Sequence, residues 1–315
     1  MSPCKLFSNS ATGPNYRTPP FWLDLLFINP FMFWLFRFFS RWPLVVLHTL
    51  GAGLGWMVWL ASARYRAQFR ANVAQAGLPF DAARPAIAEA GRFVGELPKL
   101  WMRPRAQSCL GNVRVQGQAH VEQAFAQGKG VIFFGPHCGS FELGPQALAE
   151  LYGPLTAIYR PARKAWLARL EAIARDRRNL TVVPASLGGI RLMHKALKAN
   201  QAVAMLTDQV PPEGWGIWAP FFGRPAYTMT LAARLALQSG AVLLPVSCER
   251  LPRGQGYSLE IWPALTGVQN KNRQDSDMLQ TVTRINQAIE AIVLSQPGQY
   301  LWGYARYKTP RKEVA

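Results

Sequence analysis

Residues 131–142 read VIFFGPHCGSFE, and this stretch decides the architecture of the chain. Its apolar start predicts a buried strand, Gly135-Pro136 predicts a turn, and a helix is expected to begin near Ser140. His137 therefore stands just past the end of a strand, where open α/β sheets place their reactive groups. Because a neutral imidazole can accept a proton from an alcohol near neutral pH, His137 is a candidate general base.

Glu142 is the candidate partner of this histidine. Residues five apart do not share a helix face, so the turn between them would have to bring Glu142 onto the His137 ring, where a carboxylate fixes the tautomer. The alternative is that Glu142 only occupies the first turn of a helix, where the dipole favours it. Cys138 and Ser140 are weaker candidates for a nucleophile, because neither lies in a C-x-x-C or G-x-S-x-G motif.

Short apolar runs and helical segments alternate after residue 113. This alternation predicts an α/β domain whose central sheet is mixed, largely parallel and flanked by helices. The other predicted strands are 155–159, 180–184, 202–207, 241–248, 257–262 and 300–304. The predicted helices between them include 164–178, 188–199 and 228–239.

The first 63 residues differ from the rest in composition. Residues 1–20 are polar and rich in Pro and Ser, which predicts a flexible lead-in, whereas residues 21–63 are very apolar and aromatic and predict a membrane-anchoring helical segment. Residues 43–63 are long enough to cross a bilayer. Glycines at 51, 53 and 55 weaken a helix there, so a transmembrane span and a buried helix both remain open.

The chain is strongly basic, with a formal net charge of +18 and a pI near 10.4. Such an excess implies a polyanionic partner, which could be nucleic acid, an anionic membrane or a phosphorylated substrate. No helix-turn-helix, zinc-finger or RNP-like pattern occurs, and the cations share the chain with an apolar segment, so nucleic acid is disfavoured. The four cysteines form no C-x-x-C pair, which indicates neither a zinc site nor a disulfide framework.

Two arginines are candidates for binding an acidic substrate. Arg160 follows the predicted strand 155–159 and should reach the same sheet edge as His137, where a guanidinium suits bidentate phosphate binding. Arg191 follows Gly188-Gly189-Ile190 and is the second candidate. The other cations between 159 and 178 are expected on a solvated helix face.

Polar and aromatic residues after the strand 202–207 complete the candidates. Asp208 and Gln209 end that strand and are predicted to bind substrate. An aromatic set could wall an acyl pocket and measure chain length, with burial in the core as the alternative. It consists of Trp215, Trp218, Phe221 and Phe222.

Six motifs occur in an order that matches a known family. They are GPHCGSFELG (135–144), Tyr-Arg-Pro (159–161), Gly-Gly-Ile-Arg (188–191), Asp208-Gln209, Pro-Phe-Phe-Gly (220–223) and YLWGYARYKTP (300–310). The chain resembles the bacterial lipid A late acyltransferases (the lauroyl and myristoyl transferases of lipopolysaccharide synthesis), within the lysophospholipid acyltransferase superfamily. The resemblance implies a glycerolipid acyltransferase-like domain at 64–310, after the anchor at 21–63 and before a basic tail at 311–315.

The resemblance also implies a reaction. An acyl chain would pass from a thioester, acyl carrier protein or acyl-CoA, to a hydroxyl of a lipid A precursor at the cytoplasmic face of the inner membrane. His137 and Glu142 would be the H-x-x-x-x-E pair, with Glu142 orienting His137, and backbone N–H groups of Gly139 to Phe141 would hold the oxyanion. No metal or cofactor is implied. The implied partners are anionic membrane lipids, a phosphorylated glycolipid acceptor and acyl carrier protein.

Two departures from the family pattern leave the acceptor open. Ser140-Phe141 stands where Asn-Trp is common, and Val210 stands where a second Asp is common. The acceptor could therefore be another glycolipid, an ornithine-type aminolipid or a polyketide-like lipid. The rival hypotheses from other classes are a non-catalytic protein of this fold that binds anionic lipid, and a soluble nucleic-acid binder.

Overall fold

The computed structural model describes residues 30–162, 164–267 and 275–312. The predicted lead-in, the first part of the predicted anchor and the end of the basic tail lie outside these residues. In the described part of the chain the strands are β1 (Val113–Gln116), β2 (Val131–Gly135), β3 (Leu155–Tyr159), β4 (Leu180–Pro184), β5 (Ala202–Leu206), β6 (Gly216–Phe221), β7 (Arg224–Met229), β8 (Val242–Arg250) and β9 (Tyr257–Ile261).

The α-helices in the same residues surround this sheet. They are α1 (Pro30–Phe39), α2 (Leu44–Ala61), α3 (Ala63–Gln75), α4 (Phe80–Ala83), α5 (Pro85–Trp101), α6 (Gln118–Phe125), α7 (Gly144–Tyr152), α8 (Ala165–Arg175), α9 (Leu187–Lys198), α10 (Leu231–Ser239) and α11 (Asp275–Ser295). Short 3₁₀ turns lie at Leu110–Asn112, Pro252–Gly254 and Pro297–Gln299.

The central sheet has seven strands in the order β1-β9-β8-β2-β5-β3-β4. Its pairs are parallel except β8–β9, which is antiparallel. The predicted mixed, largely parallel sheet with flanking helices is confirmed. The strands β6 and β7 form a separate antiparallel hairpin that the sequence did not predict.

The strand predicted at 300–304 is wrong. Only Tyr300 makes a β-bridge, to Cys138, and the chain then turns. At Gly303 the backbone lies so close to the Tyr65 side chain that a Cβ would come within 2.0 Å of a ring carbon, so the segment packs on α3 instead of pairing with a strand. Residues 297–307, called the closing segment below, therefore cross the loop that follows β2 without joining the sheet.

Strand order determines which residues meet at one edge of the sheet. The parallel strands β2, β5, β3 and β4 are neighbours in that order, so their carboxyl ends lie side by side. Gly135 of β2 is paired in register with Leu206 of β5. His137 and Asp208 each follow two residues later, so the fold brings them together although they are 71 residues apart in the chain.

The core lies on both faces of the sheet. All five residues of β2 are buried, as expected for a strand covered on both sides. Ile132 and Phe134 pack on the side of α9, α10 and α11, whereas Val131 and Phe133 pack on the side of α6, α7 and α8.

The apolar helix α2 lies along α5 through close backbone contacts. A Cβ on Gly51 would come within 2.5 Å of the Gly91 carbonyl oxygen, and one on Gly55 within 2.1 Å of the Ile87 carbonyl oxygen. These glycines do not interrupt the helix; they allow two helices to approach closely. Among the described residues, α2 is the one helix long and apolar enough to cross a membrane by length and composition, and one of its sides is buried in the protein.

A buried ionic network fastens α5 and α2 to the sheet. Arg250, at the end of β8, contacts Glu89 Oε2 at 2.9 Å and Glu96 Oε1 at 3.1 Å. His48 Nε2 of α2 lies 3.1 Å from Glu96 Oε2. Burial would lower the pKa of Arg250, but the negative charges of Glu96 and Glu89 outweigh it and raise that pKa.

Candidate active site

A cavity of about 470 Å³ opens where β2, β5, β3 and β4 end. Its wall is largely apolar, which suits a hydrocarbon chain better than a polar ligand. The polar and charged side chains that reach it include His137, Glu142, Arg160, Arg175 and Gln209.

His137 is held by Asp208. Its Nδ1 lies 2.6 Å from Asp208 Oδ1, and its backbone N–H donates to Asp208 Oδ2 at 3.0 Å. The His137 side chain is 18% exposed, whereas that of Asp208 is 3% exposed. Because the carboxylate engages Nδ1, Nε2 is the ring nitrogen left to accept a proton from a substrate in the cavity.

Asp208 is kept ionised by its surroundings. Burial alone would raise its pKa, but the His137 ring, the His137 amide and the charge of Arg306 together hold the pKa below its ordinary value. An ionised carboxylate orients the imidazole and stabilises the imidazolium that forms when His137 takes a proton.

The closing segment supports this pair from behind. The Leu301 N–H donates to the His137 carbonyl oxygen at 3.1 Å, and the Gly139 N–H donates to the Gln299 carbonyl oxygen at 3.1 Å. Arg306 is buried and donates to the Tyr227 carbonyl oxygen at 2.9 Å and to Thr228 Oγ1 at 2.7 Å. The C-terminal motif in the sequence thus forms the rear wall of the His137 loop.

Glu142 contacts Arg175 instead of His137. Its Oε1 lies 2.5 Å from Arg175 Nη2, so the expectation that Glu142 orients His137 is corrected. The physical reason is the Phe141 ring, which packs edge-on to His137 at 4.8 Å and stacks on Phe93 of α5 at 4.2 Å. The next side chain, Glu142, reaches α8 instead.

Arg175 is a cation of the cavity that the sequence did not single out. Burial would lower its pKa, but Glu142 and Glu171 together outweigh burial and the pKa is raised. Its guanidinium also lies over the Tyr159 ring, 4.9 Å from the centroid. The seven cations between 159 and 178 gave no means of separating this buried arginine from its solvated neighbours.

The predicted oxyanion donors are mostly engaged elsewhere. Gly139 donates its N–H to Gln299, and the Ser140 N–H donates to the Cys248 carbonyl oxygen at 2.6 Å. Gly139 has φ = 60°, and a Cβ there would come within 2.1 Å of the same Cys248 oxygen, so glycine is required. Of the predicted stretch, only the Phe141 amide has no hydrogen-bond partner among the described residues.

Cys138 is unsuited to act as a nucleophile. It is fully buried, and burial raises the pKa of its thiol far above the ordinary value. A reactive cysteine needs an accessible thiolate, which this environment disfavours.

The four predicted substrate-binding residues separate into three groups. Arg160 is exposed at the mouth of the cavity, and Gln209 lines the cavity. Asp208 binds His137 and so is a positioning residue in the structure. Arg191 lies on the exposed side of α9 and is not part of the cavity lining in the described residues.

Three of the four predicted acyl-pocket residues lie away from the cavity. Trp215 lines it. Trp218 is half exposed against Tyr227, Phe221 is buried beneath Arg306, and Phe222 occupies the hairpin turn with φ = 47°. These placements follow from the β6–β7 hairpin, which directs its aromatic residues toward α11 and solvent.

The apolar floor of the cavity comes from the sheet itself. Phe133, Ala204, Ala157 and Val182 lie in register across β2, β5, β3 and β4, and all four line the cavity. The two alanines at the centre of this row leave space that larger side chains would fill. Sequence reasoning missed this feature because it depends on strand order and register.

Metal-binding side chains are not clustered here. Within residues 30–162, 164–267 and 275–312, no group of three or more His, Cys, Asp or Glu side chains is arranged to hold a metal ion.

Comparison with known proteins decides the family. The profile of the family described as bacterial lipid A biosynthesis acyltransferase matches residues 11–309. The chain belongs to this family. It is an acyltransferase, as the resemblance of its motifs implied, and the hypotheses of a non-catalytic lipid binder and of a nucleic-acid binder are set aside.

Individual relatives are distant. The chain is 28% identical over 320 residues to the lipid A biosynthesis palmitoleoyltransferase of Escherichia coli (strain K12), covering 96% of this chain and 97% of the relative. It is 28% identical over 178 residues to a phosphatidylinositol mannoside acyltransferase of Mycobacterium tuberculosis, covering 55% and 54%. A solved structure, the 1-acyl-sn-glycerophosphate acyltransferase of Thermotoga maritima, aligns over 78% of this chain and 97% of its own with 14% identity and a TM-score of 0.32.

Proposed function

We propose that this enzyme moves a fatty acyl chain from the thioester of an acyl carrier protein to a hydroxyl of a lipid A precursor, at the cytoplasmic face of the inner membrane. The observation that carries the proposal is the His137–Asp208 pair, 2.6 Å apart, at the edge of an apolar cavity. Membership of the family supports acyl transfer, and the full-length match to a lipid A biosynthesis palmitoleoyltransferase supports the acceptor.

In the proposed mechanism, His137 Nε2 removes the proton from the acceptor hydroxyl as its oxygen attacks the thioester carbonyl carbon. Asp208 holds the tautomer and stabilises the imidazolium. The tetrahedral intermediate then expels the thiolate, and the imidazolium returns the proton to the sulfur. Each step uses only the acceptor hydroxyl, the thioester and side chains of this chain.

Glu142 and Arg175 act on the substrate in this proposal. Glu142 holds the Arg175 guanidinium at the cavity wall, where its charge can stabilise the oxyanion or bind an acidic group of a substrate. Arg160, at the mouth, is placed to contact a phosphate or sugar of the acceptor head group. Arg191 would contact a charged group outside the cavity.

The first experiment is mass spectrometry of total lipids from the native host with the gene deleted, then complemented with His137→Ala or with the matched control His120→Ala. His120 lies outside the cavity on α6. We expect lipid A to lack one acyl chain in the deletion and in the His137→Ala strain, and to regain it with His120→Ala. If lipid A is unchanged and another lipid is altered, that lipid is the acceptor. No change in any lipid would contradict the proposal.

The chain-length preference is proposed to be set by the alanines of the cavity floor. Ala157→Phe should lower kcat/KM for long-chain donors by about tenfold or more and spare short ones, because a filled pocket rejects extra methylenes. The matched control is Phe222→Ala, at an aromatic residue outside the cavity, which should leave the preference unchanged. Assays with donors of graded length check this, and a shift with Phe222→Ala alone would restore the aromatic set as the ruler.

A further inference from the structure

The exposed surface of α1 and α2 is rich in large apolar side chains. Large apolar side chains point outward from both helices; Trp34 is 66% exposed, Met57 64% and Leu60 73%. Phe38, Leu50 and Val58 are exposed on the same pair of helices. An exposed surface built of such side chains marks an interaction site. It is called the apolar face below.

The charge around the apolar face is of one sign. Between Asp24 and Asp81 the sequence has no acidic residue and five arginines, at 37, 41, 64, 66 and 70. Of these, Arg41 and Arg64 flank α2 at its two ends and are exposed. Apolar side chains bordered by arginines are complementary to a bilayer that contains anionic lipid.

The protein holds α2 at its beginning, middle and end. Near the start, the backbone of Val45 packs against Gly254, and His48 pairs with buried Glu96. In the middle, Gly51 and Gly55 lie against the backbone of α5. Past the end, Arg66 donates to the carbonyl oxygens of Trp59 and Leu60 at 2.6 and 2.7 Å.

This attachment is incompatible with a transmembrane orientation. The 18 residues of α2 extend about 27 Å, close to the thickness of a hydrocarbon core. If α2 crossed the bilayer, α5 would cross beside it with Glu89, Arg92, Glu96 and Lys99, together with Arg250 of the sheet. Charged groups at that depth are strongly disfavoured.

We infer that α1 and α2 insert sideways into the cytoplasmic leaflet alone, with both ends of α2 on the same side of the membrane. The inference deepens the proposed function, because it rests on the proposed membrane location and specifies how the enzyme meets the surface that holds its acceptor. Helix α5 packs against α2 through Gly91. Its Phe93 stacks on Phe141, which lies beside His137. The leaflet surface and the catalytic loop are therefore joined by one helix.

The test uses single cysteines on the full chain and a membrane-impermeant maleimide. Cys109, Cys138 and Cys248 are buried, so Cys4→Ser provides the background. Arg41→Cys reports the turn between α1 and α2, and Gln127→Cys, an exposed site after α6, is the matched control. We expect both to be labelled only after spheroplasts are permeabilised. A span with Arg64 on the cytoplasmic side would instead expose Arg41→Cys in intact spheroplasts, and that result would overturn the inference.

A second measurement tests the apolar face directly. The double variant Leu50→Glu/Met57→Glu should bind vesicles of phosphatidylethanolamine and phosphatidylglycerol at least about tenfold more weakly than wild type, because burying one such side chain changes affinity by about that factor. Leu279→Glu, on α11 and 45% exposed, is the matched control and should bind as wild type. Equal binding by the double variant, with an unchanged melting temperature, would contradict the inference.

The two proposals fail in different ways. Labelling of Arg41→Cys in intact spheroplasts alongside normal acyl transfer would overturn the single-leaflet insertion alone. Recovery of the wild-type chain in the soluble fraction would overturn both the insertion and the proposed location. Absence of acyl transfer by a membrane-bound, correctly oriented chain would contradict only the proposed reaction.

Discussion

Within the described residues, two histidine–carboxylate pairs differ in their surroundings. His137 Nδ1 lies 2.6 Å from Asp208 at the carboxyl edge of the sheet, and His48 Nε2 lies 3.1 Å from Glu96 between α2 and α5. In both pairs the carboxylate is almost completely buried. Residue type and distance therefore do not distinguish a catalytic pair from a structural one.

What distinguishes them is the space on the other side of the ring. His137 lines the cavity, whereas His48 is outside the cavity lining in the described part of the chain. Glu96 also accepts hydrogen bonds from Arg250 and from Tyr257 Oη at 3.2 Å, so its charge is used to fasten helices. Asp208 directs its charge to the His137 ring and backbone. The first pair therefore has room for a substrate beside its ring, as the proposed reaction requires, and the second links helices to the sheet.

Asp208→Asn should produce the largest effect. An asparagine cannot stabilise the imidazolium and favours the wrong tautomer of His137, so kcat should fall by up to about 10⁴-fold, as when the orienting carboxylate of another His–Asp pair is replaced. The measurement is acyl transfer by purified, folded protein. A variant that keeps a tenth or more of wild-type kcat would show that Asp208 is not needed to orient the base.

The sequence predicted the position of His137 at the sheet edge but not its carboxylate neighbour, and the reason is physical. A strand followed by a turn can be read from VIFFGP, and with it the place of His137 at a sheet edge. Its carboxylate partner depends on β5 being the neighbour of β2, which local patterns do not specify. Glu142 was favoured because it lies near His137 in sequence and completes the H-x-x-x-x-E motif, whereas in the structure it contacts Arg175.

The same limit explains the acyl pocket. Strands and helices from 131 to 261 were mostly placed correctly because apolar runs and helical periods are local signals. The row of Phe133, Ala204, Ala157 and Val182 exists only in the assembled register, so it could not be anticipated. The aromatic residues of β6 and β7 were instead judged by type alone.

Glu142 provides a third carboxylate that sharpens the comparison. Glu142→Gln and Arg175→Gln should each lower kcat/KM by about 10²-fold, since each removes one charged partner in the cavity. Because the two side chains act as one unit, the double variant should be little worse than either single variant. Steady-state kinetics of the full cycle measures this. Fully multiplicative losses would mean that Glu142 acts apart from Arg175, as it would if it oriented His137.

Glu96→Gln tests the structural pair. Removing one carboxylate leaves Arg250 with Glu89 as its remaining acid, so the protein should lose about 3 kcal/mol of stability, near the lower end for breaking a buried ion pair. Its kcat should stay within about twofold of wild type at a temperature where it is folded, since Glu96 lies away from the cavity lining. Chemical denaturation in mild detergent measures the first quantity and acyl transfer the second. If Glu96→Gln stayed as stable as wild type but lost acyl transfer, the His48–Glu96 pair would also be needed for the reaction.

The smallest expected effect is on stability: acidification should reduce what the Asp208 carboxylate contributes to the fold. The pKa of Asp208 is lower in the folded protein than in the unfolded chain, where it is about 3.9. A lowered pKa stabilises the fold above that ordinary value, and the contribution is lost as the pH falls through the folded pKa. The part of the stability difference between wild type and Asp208→Asn that comes from the Asp208 carboxylate should thus be fully present above about pH 5. Below about pH 4 it should narrow, with a slope of at most about 1.4 kcal/mol per pH unit, which is the limit for one proton. Denaturation curves at each pH measure it, and a difference that widened on acidification would mean that the contacts with His137 and Arg306 do not favour the ionised carboxylate.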